Sequence, residues 1–142
     1  EGHYTVTPEM KAKMADFCGG FATEAEDAAA IRELYDETGY VIDTHTGVAS
    51  AVYQQYKKNT GDETKTVIAS TASPYKFSRS VMEAISDEKL PEDEFAVIDE
   101  LCRVSGVEIP KAVEEIRNAQ IRHKLECDVQ DMKKTVAKIL GI

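Results

Sequence analysis

Two hydroxyl-rich turns hold the residues best suited to chemistry. Ile68-Ala69-Ser70-Thr71-Ala72-Ser73-Pro74-Tyr75-Lys76-Phe77 passes from an apolar stretch through clustered hydroxyls to a Ser-Pro pair that opens a helix. Ile42-Asp43-Thr44-His45-Thr46-Gly47 repeats that order upstream. The first N–H groups of a helix have no intrahelical partner, so such turns suit an anionic or strongly polar ligand. Thr46 and Ser73 read as helix caps, which accounts for their hydroxyls. Ser70 and Thr71 precede the cap and are left for ligand contact.

The elements that must position these turns follow from pattern and punctuation. Thr7-Pro8-Glu9 starts a helix with Met10, Met14, Phe17 and Cys18 at helical spacing, stopped by Gly19-Gly20. Thr23 and Glu26 form a capping box for a helix that turns Ala28, Ile31, Leu34 and Tyr35 inward and ends at Gly39. Tyr40-Val41-Ile42 and Thr66-Val67-Ile68-Ala69-Ser70 are short, apolar and β-branched, and are predicted strands. Between them a helix carries Val48, Ala49, Val52 and Tyr56 inward. A further helix from Ser73 carries Phe77, Val81 and Ile85. The expectation is therefore an α/β fold: a βαβα piece from Tyr40 to Ser86, with parallel strands and both turns at their carboxyl ends on one rim. Two such strands would leave unpaired edges, which points to a sheet completed outside this chain.

After Pro91 the pattern becomes helical. Phe95, Val97, Ile98, Leu101 and Cys102 mark one helix closed by Gly106, and Pro110 opens a short one with Val113 and Ile116. Ile121 to Cys127 alternates and is a candidate extended segment. Asp128 caps a last helix with Val129, Met132, Val136, Ile139 and Leu140 on one face. The division expected is residues 1–90 as part of an α/β domain and 91–142 as a helical extension.

Composition excludes several classes. The chain has 142 residues and a formal net charge of −9, the wrong sign for a phosphate backbone. No apolar run reaches the roughly 20 residues that span a bilayer. Cys18, Cys102 and Cys127, like His3, His45 and His123, are scattered without metal-ligand spacing. Unpaired cysteines fit a reducing cytosol. His45 is open to two readings, a ligand contact or a ring packed beside a helix start. His123 reads as structural.

Gly39 to Ala49, with Asp43-Thr44-His45-Thr46, and Ser70 to Phe77 resemble the C-terminal part of threonine synthase. The helical tail with Ile109-Pro110-Lys111-Ala112 is similar too. Thr44 and Gly47 depart mildly, standing where proline and alanine are more usual. The resemblance implies the C-terminal piece of a fold type II pyridoxal-phosphate lyase of the tryptophan-synthase-β-like fold. Such enzymes convert O-phosphohomoserine and water to threonine and phosphate in the cytoplasm. By motif, Thr71 falls to the pyridine nitrogen with Ser70 beside it, and Asp43, His45 and Lys76 line the site. The family's Schiff-base lysine motif, phosphate loop and upstream signature do not occur in this sequence. The implied partner is the rest of a threonine synthase chain, and the piece alone should bind cofactor weakly and turn over nothing. Two alternatives stand beside it: a non-enzymatic acidic helical interaction domain, and another fold type II lyase or synthase.

Overall fold

The computed structural model describes residues 2–142 and divides into two compact units, the first ending at Pro110 and the second running Lys111–Ile142. In the first unit the helices are α1 (Pro8–Lys13), α2 (Glu24–Thr38), α3 (Thr44–Thr60), a 3-10 turn (Pro74–Phe77) leading into α4 (Ser78–Ile85), and α5 (Glu94–Ser105). Helix α2 packs on α3 and on α4, and α4 packs on α5. The core is small and apolar: Ala30 and Ile31 from α2, Ala51 from α3, Val81, Met82 and Ile85 from α4, Val97 and Leu101 from α5.

The helix boundaries have local causes. Thr7 accepts from the Met10 N–H, and Pro8 occupies the first position of α1. The Thr23–Glu26 capping box is complete, with Oε2 of Glu26 accepting from the Thr23 N–H at 2.7 Å and Thr23 Oγ1 accepting from the Glu26 N–H at 3.3 Å. Gly39, Gly61 and Gly106 close α2, α3 and α5 in the left-handed conformation that a side chain would resist. Arg32 binds α2 to the end of α4 by donating from Nε to the Ala84 carbonyl at 2.6 Å and from Nη2 to Asp87 at 2.9 Å. Arg79 likewise joins α4 to the start of α5 through Glu94 and the carbonyls of Pro91 and Glu92.

The expected α/β architecture is wrong for this chain. Among the described residues there is no β-strand: Tyr40–Ile42, Thr66–Ser70 and the alternating Ile121–Cys127 all lie outside regular elements. Apolar β-branched residues favour extended backbone, but a strand exists only where a neighbour pairs its N–H and C=O groups. No neighbour pairs these segments here. Val41 and Ile42 are buried through their side chains, whereas Val67 is 90% exposed. The expected core stripe of α1 also fails. Its helix stops at Lys13, and Met10, Met14 and Phe17 are exposed. In α3 the inner face is Thr46, Gly47 and Ala51, while Val48 is exposed.

The second unit contains α6 (Lys111–Arg117), a 3-10 turn (Val129–Asp131) and α7 (Met132–Leu140). It has no buried residue, and the apolar face of α7, with Met132, Val136, Ile139 and Leu140, is exposed. Among the described residues no helix is long and apolar enough to cross a membrane.

Candidate functional site

Asp43, not Thr46, caps α3. Its backbone is extended at φ −81° and ψ 166°, and its Oδ1 accepts from the N–H groups of His45 at 2.8 Å and Thr46 at 3.4 Å. Aspartate at this position satisfies orphan donors and sets a negative charge at the positive end of the helix dipole. The cap lies inside the fold, with Asp43 only 1% exposed. Burial works against its charge, but the Thr46 hydroxyl, the two backbone N–H groups and the His45 ring together hold its carboxyl below the usual carboxylate range.

The same carboxylate organises the side chains of both turns. His45 Nδ1 lies 3.0 Å from Asp43 Oδ1, and the Thr46 hydroxyl donates to Asp43 Oδ2. Thr46 Oγ1 in turn lies 2.9 Å from Ser70 Oγ. Four residues of the two turns, His45, Asp43, Thr46 and Ser70, thus form one continuous hydrogen-bonded chain without any sheet beneath them. Thr71 follows directly and is exposed, with no hydrogen bond among the described residues. Ser73 caps the 3-10 turn by accepting from the Tyr75 N–H at 3.3 Å. Lys76 is exposed on that turn, with Nζ 5.7 Å from the centre of the Phe77 ring. The Phe77 ring lies 5.6 Å from the His45 ring at 31°.

A cavity lies at each end of this chain. At the His45 end a groove of about 540 Å³ is walled by Glu24, Asp27, His45, Phe77, Ser80 and Glu83. At the Ser70 end a cavity of about 400 Å³ is lined by Tyr40, Ile42, Tyr53, Lys57 and Ile68 beside Thr46 and Ser70. Ile42 and Ile68, one from each segment expected to be a strand, both line this second cavity.

Sequence reasoning missed two residues. Thr46 reads as a cap by residue type, yet in the fold it links the two turns. Asp27 has no signature of its own in the sequence, although its carboxylate packs against Gly47 with a buried Oδ1 that has no hydrogen-bond partner among the described residues. Burial and the nearby Asp43 charge push the Asp27 carboxyl up, partly offset by His45. The signal was Gly47 itself, since glycine inside a helix marks a close approach.

A mainly helical unit whose buried aspartate cap reaches one hydroxyl of a second turn, Ser70, through Thr46 defines a class of small α-helical domain, not a sheet-based one. The family model for "Threonine synthase, C-terminal" matches residues 46–136, and this chain belongs to that family. The human protein "Threonine synthase-like 1" is 31% identical over 91 residues, 63% of this chain and 12% of its own length. "Threonine synthase" of Schizosaccharomyces pombe is 35% identical over 88 residues, covering 61% of this chain and 17% of that protein. "Threonine synthase" of Corynebacterium glutamicum is 30% identical over 92 residues, 63% of this chain and 18% of that protein. The chain therefore spans less than a fifth of the length of each of these relatives. No solved structure matches it. The family match takes in Thr46, Ser70, Thr71 and Lys76 and begins just after Asp43 and His45.

Proposed function

We propose that this chain is the C-terminal portion of a cytoplasmic threonine synthase, a carbon–oxygen lyase that makes threonine and phosphate from O-phosphohomoserine and water. The observation that carries the reading is the family match across residues 46–136, which includes the whole turn from Ser70 to Lys76. The cofactor of that reading is pyridoxal 5′-phosphate, which when bound supplies an electron sink for bond breaking on the substrate.

The residues present fit the one contact this portion would make. Thr71 has a hydroxyl that is exposed and uncommitted to the protein. A hydroxyl donates or accepts, so it can meet a ring nitrogen without requiring that nitrogen to be protonated. Ser70 lies beside it, while Asp43 and His45 brace the rim and Lys76 stands behind the turn. Lys76 is followed by Phe77 and Ser78 and does not reproduce the family's cofactor-bonding lysine motif. The isolated chain should therefore release no phosphate from O-phosphohomoserine.

The test uses both the 142-residue chain and the full product of its gene. Thr71→Val in the full product should weaken cofactor binding, with Thr71→Ser close to the unmutated protein. Unchanged cofactor affinity in Thr71→Val would overturn the assignment. A borohydride-fixed cofactor adduct on Lys76 of the isolated chain would overturn its inactivity.

The exposed apolar face of α7 favours a second reading, an acidic helical module that docks on another protein. The two readings part on the full gene product: a phosphate-releasing enzyme supports the first, and a stable but inactive protein the second.

A further inference from the structure

We infer that Ser70 is locked as a hydrogen-bond donor to Thr46 and so presents only acceptor lone pairs to the cavity beside it. The argument is proton counting along the chain of four side chains. Asp43 accepts two backbone N–H groups at the helix start, the arrangement of an ionised carboxylate, which has no proton to give. The contact between Thr46 and Asp43 Oδ2 must then use the single hydroxyl proton of Thr46. That leaves Thr46 Oγ1 with lone pairs only, so the 2.9 Å contact with Ser70 is made by the Ser70 proton. The same carboxylate takes the Nδ1 proton of His45 at the other end of the chain. A neutral His45 accordingly keeps its proton on Nδ1 and carries a lone pair on Nε2.

The consequence is a chemical selection. Whatever Ser70 contacts in the cavity of about 400 Å³ must bring a donor, such as an ammonium, amide or hydroxyl group. A phosphate dianion or an unprotonated ring nitrogen offers only lone pairs and would have to draw the Ser70 proton away from Thr46. Adjacent hydroxyls thus differ in kind: Ser70 only accepts, whereas Thr71 is uncommitted. For the cofactor contact this deepens the reading above and rests on it, because it leaves Thr71 as the hydroxyl able to serve a neutral nitrogen. The direction of the Ser70 proton does not depend on that reading.

The test needs no ligand. In the 142-residue chain the Asp43 carboxyl is followed through its titration by ¹³C NMR, with Asp27 and His45, its titrating neighbours, followed in the same spectra. If Ser70 donates to Thr46, it polarises Thr46 and strengthens the bond to Asp43. Ser70→Ala should then shift the Asp43 midpoint upward, by less than Thr46→Val does, and Thr46→Ser should restore it. If Thr46 instead points its proton at Ser70, Ser70→Ala frees that proton for Asp43 and the midpoint moves downward. A downward or absent shift overturns the inference. Failure of Thr71→Val to weaken cofactor binding would sink the proposed function and leave this result untouched.

Discussion

A β-carbon on Gly47 would fall 2.0 Å from Oδ1 of Asp27 and 2.8 Å from Cγ1 of Ile31. The close approach of α2 to α3 is thus made through a carboxylate laid against bare helix backbone. Alanine in place of glycine inside a helix normally gains about 1 kcal/mol, whereas overpacking costs about 1–3 kcal/mol. We expect Gly47→Ala to destabilise the chain by roughly 1 kcal/mol net of these opposing effects. Shortening Asp27 should recover part of the loss, so a urea-denaturation cycle of Gly47→Ala and Asp27→Ala should be non-additive. Additive losses would place the clash elsewhere.

Asp27 also sets a pH dependence. Its carboxyl titrates above the ordinary value of 3.8 in the fold, burial being the main cause. The folded state then binds the proton more tightly than the unfolded chain. This contribution is complete in acid and is lost as pH rises through the folded value. Asp27→Asn should therefore gain stability relative to the unmutated chain on going from acid to neutral pH. Urea midpoints measured across that range check the sign, and a gain toward acid would contradict it.

Asp43 runs the other way. Its carboxyl is held below 3.8 by Thr46 and the helix N–H groups against the effect of burial. Its contribution is present above the unfolded value and disappears as pH falls through the lowered folded one. Asp43→Ala removes the cap and leaves the buried Thr46 hydroxyl without its acceptor, an expected cost of about 1–3 kcal/mol. The loss should be largest at neutral pH and shrink in strong acid, as read by thermal unfolding.

Tyr75 is buried and its hydroxyl donates to the Val107 carbonyl, joining the turn before α4 to the loop after α5. Burial, with the Cys102 side chain beside it, pushes the phenol up to about 12. Alkaline titration by ultraviolet absorbance should lose its latest-titrating tyrosine in Tyr75→Phe. That variant should also cost about 1 kcal/mol, because the Val107 carbonyl loses its donor.

The parts of the fold legible in the sequence were those with a local cause. Thr7 with Pro8, Thr23 with Glu26, and the glycines at 39 and 106 each declare a helix end within a few residues. The expected strands failed because Tyr40–Ile42 and Thr66–Ser70 announce only a preference for extension, while pairing depends on residues far away in the chain. Helix α3 begins earlier than a Thr46 cap implies, because Thr46 and Asp43 are both good caps and only the fold decides between them. At the site, Ser70 and Asp43 could be singled out by residue type. Their connection could not, since it passes through Thr46 across 24 residues.

The order of packing carries a kinetic consequence. Helices α2 with α3, and α4 with α5, are neighbours in sequence, and α2 with α4 is the distant pairing. Neighbouring contacts close quickly, whereas distant ones wait on loop closure. The segment from Gly61 to Ser73 is the connection that must close, and the Thr46–Ser70 bond lies at its far end. We predict that this bond forms after the rate-limiting step. Ser70→Ala should then hasten unfolding and leave the refolding rate nearly unchanged. A matching slowdown of refolding in stopped-flow measurements would show instead that the site is part of the folding nucleus.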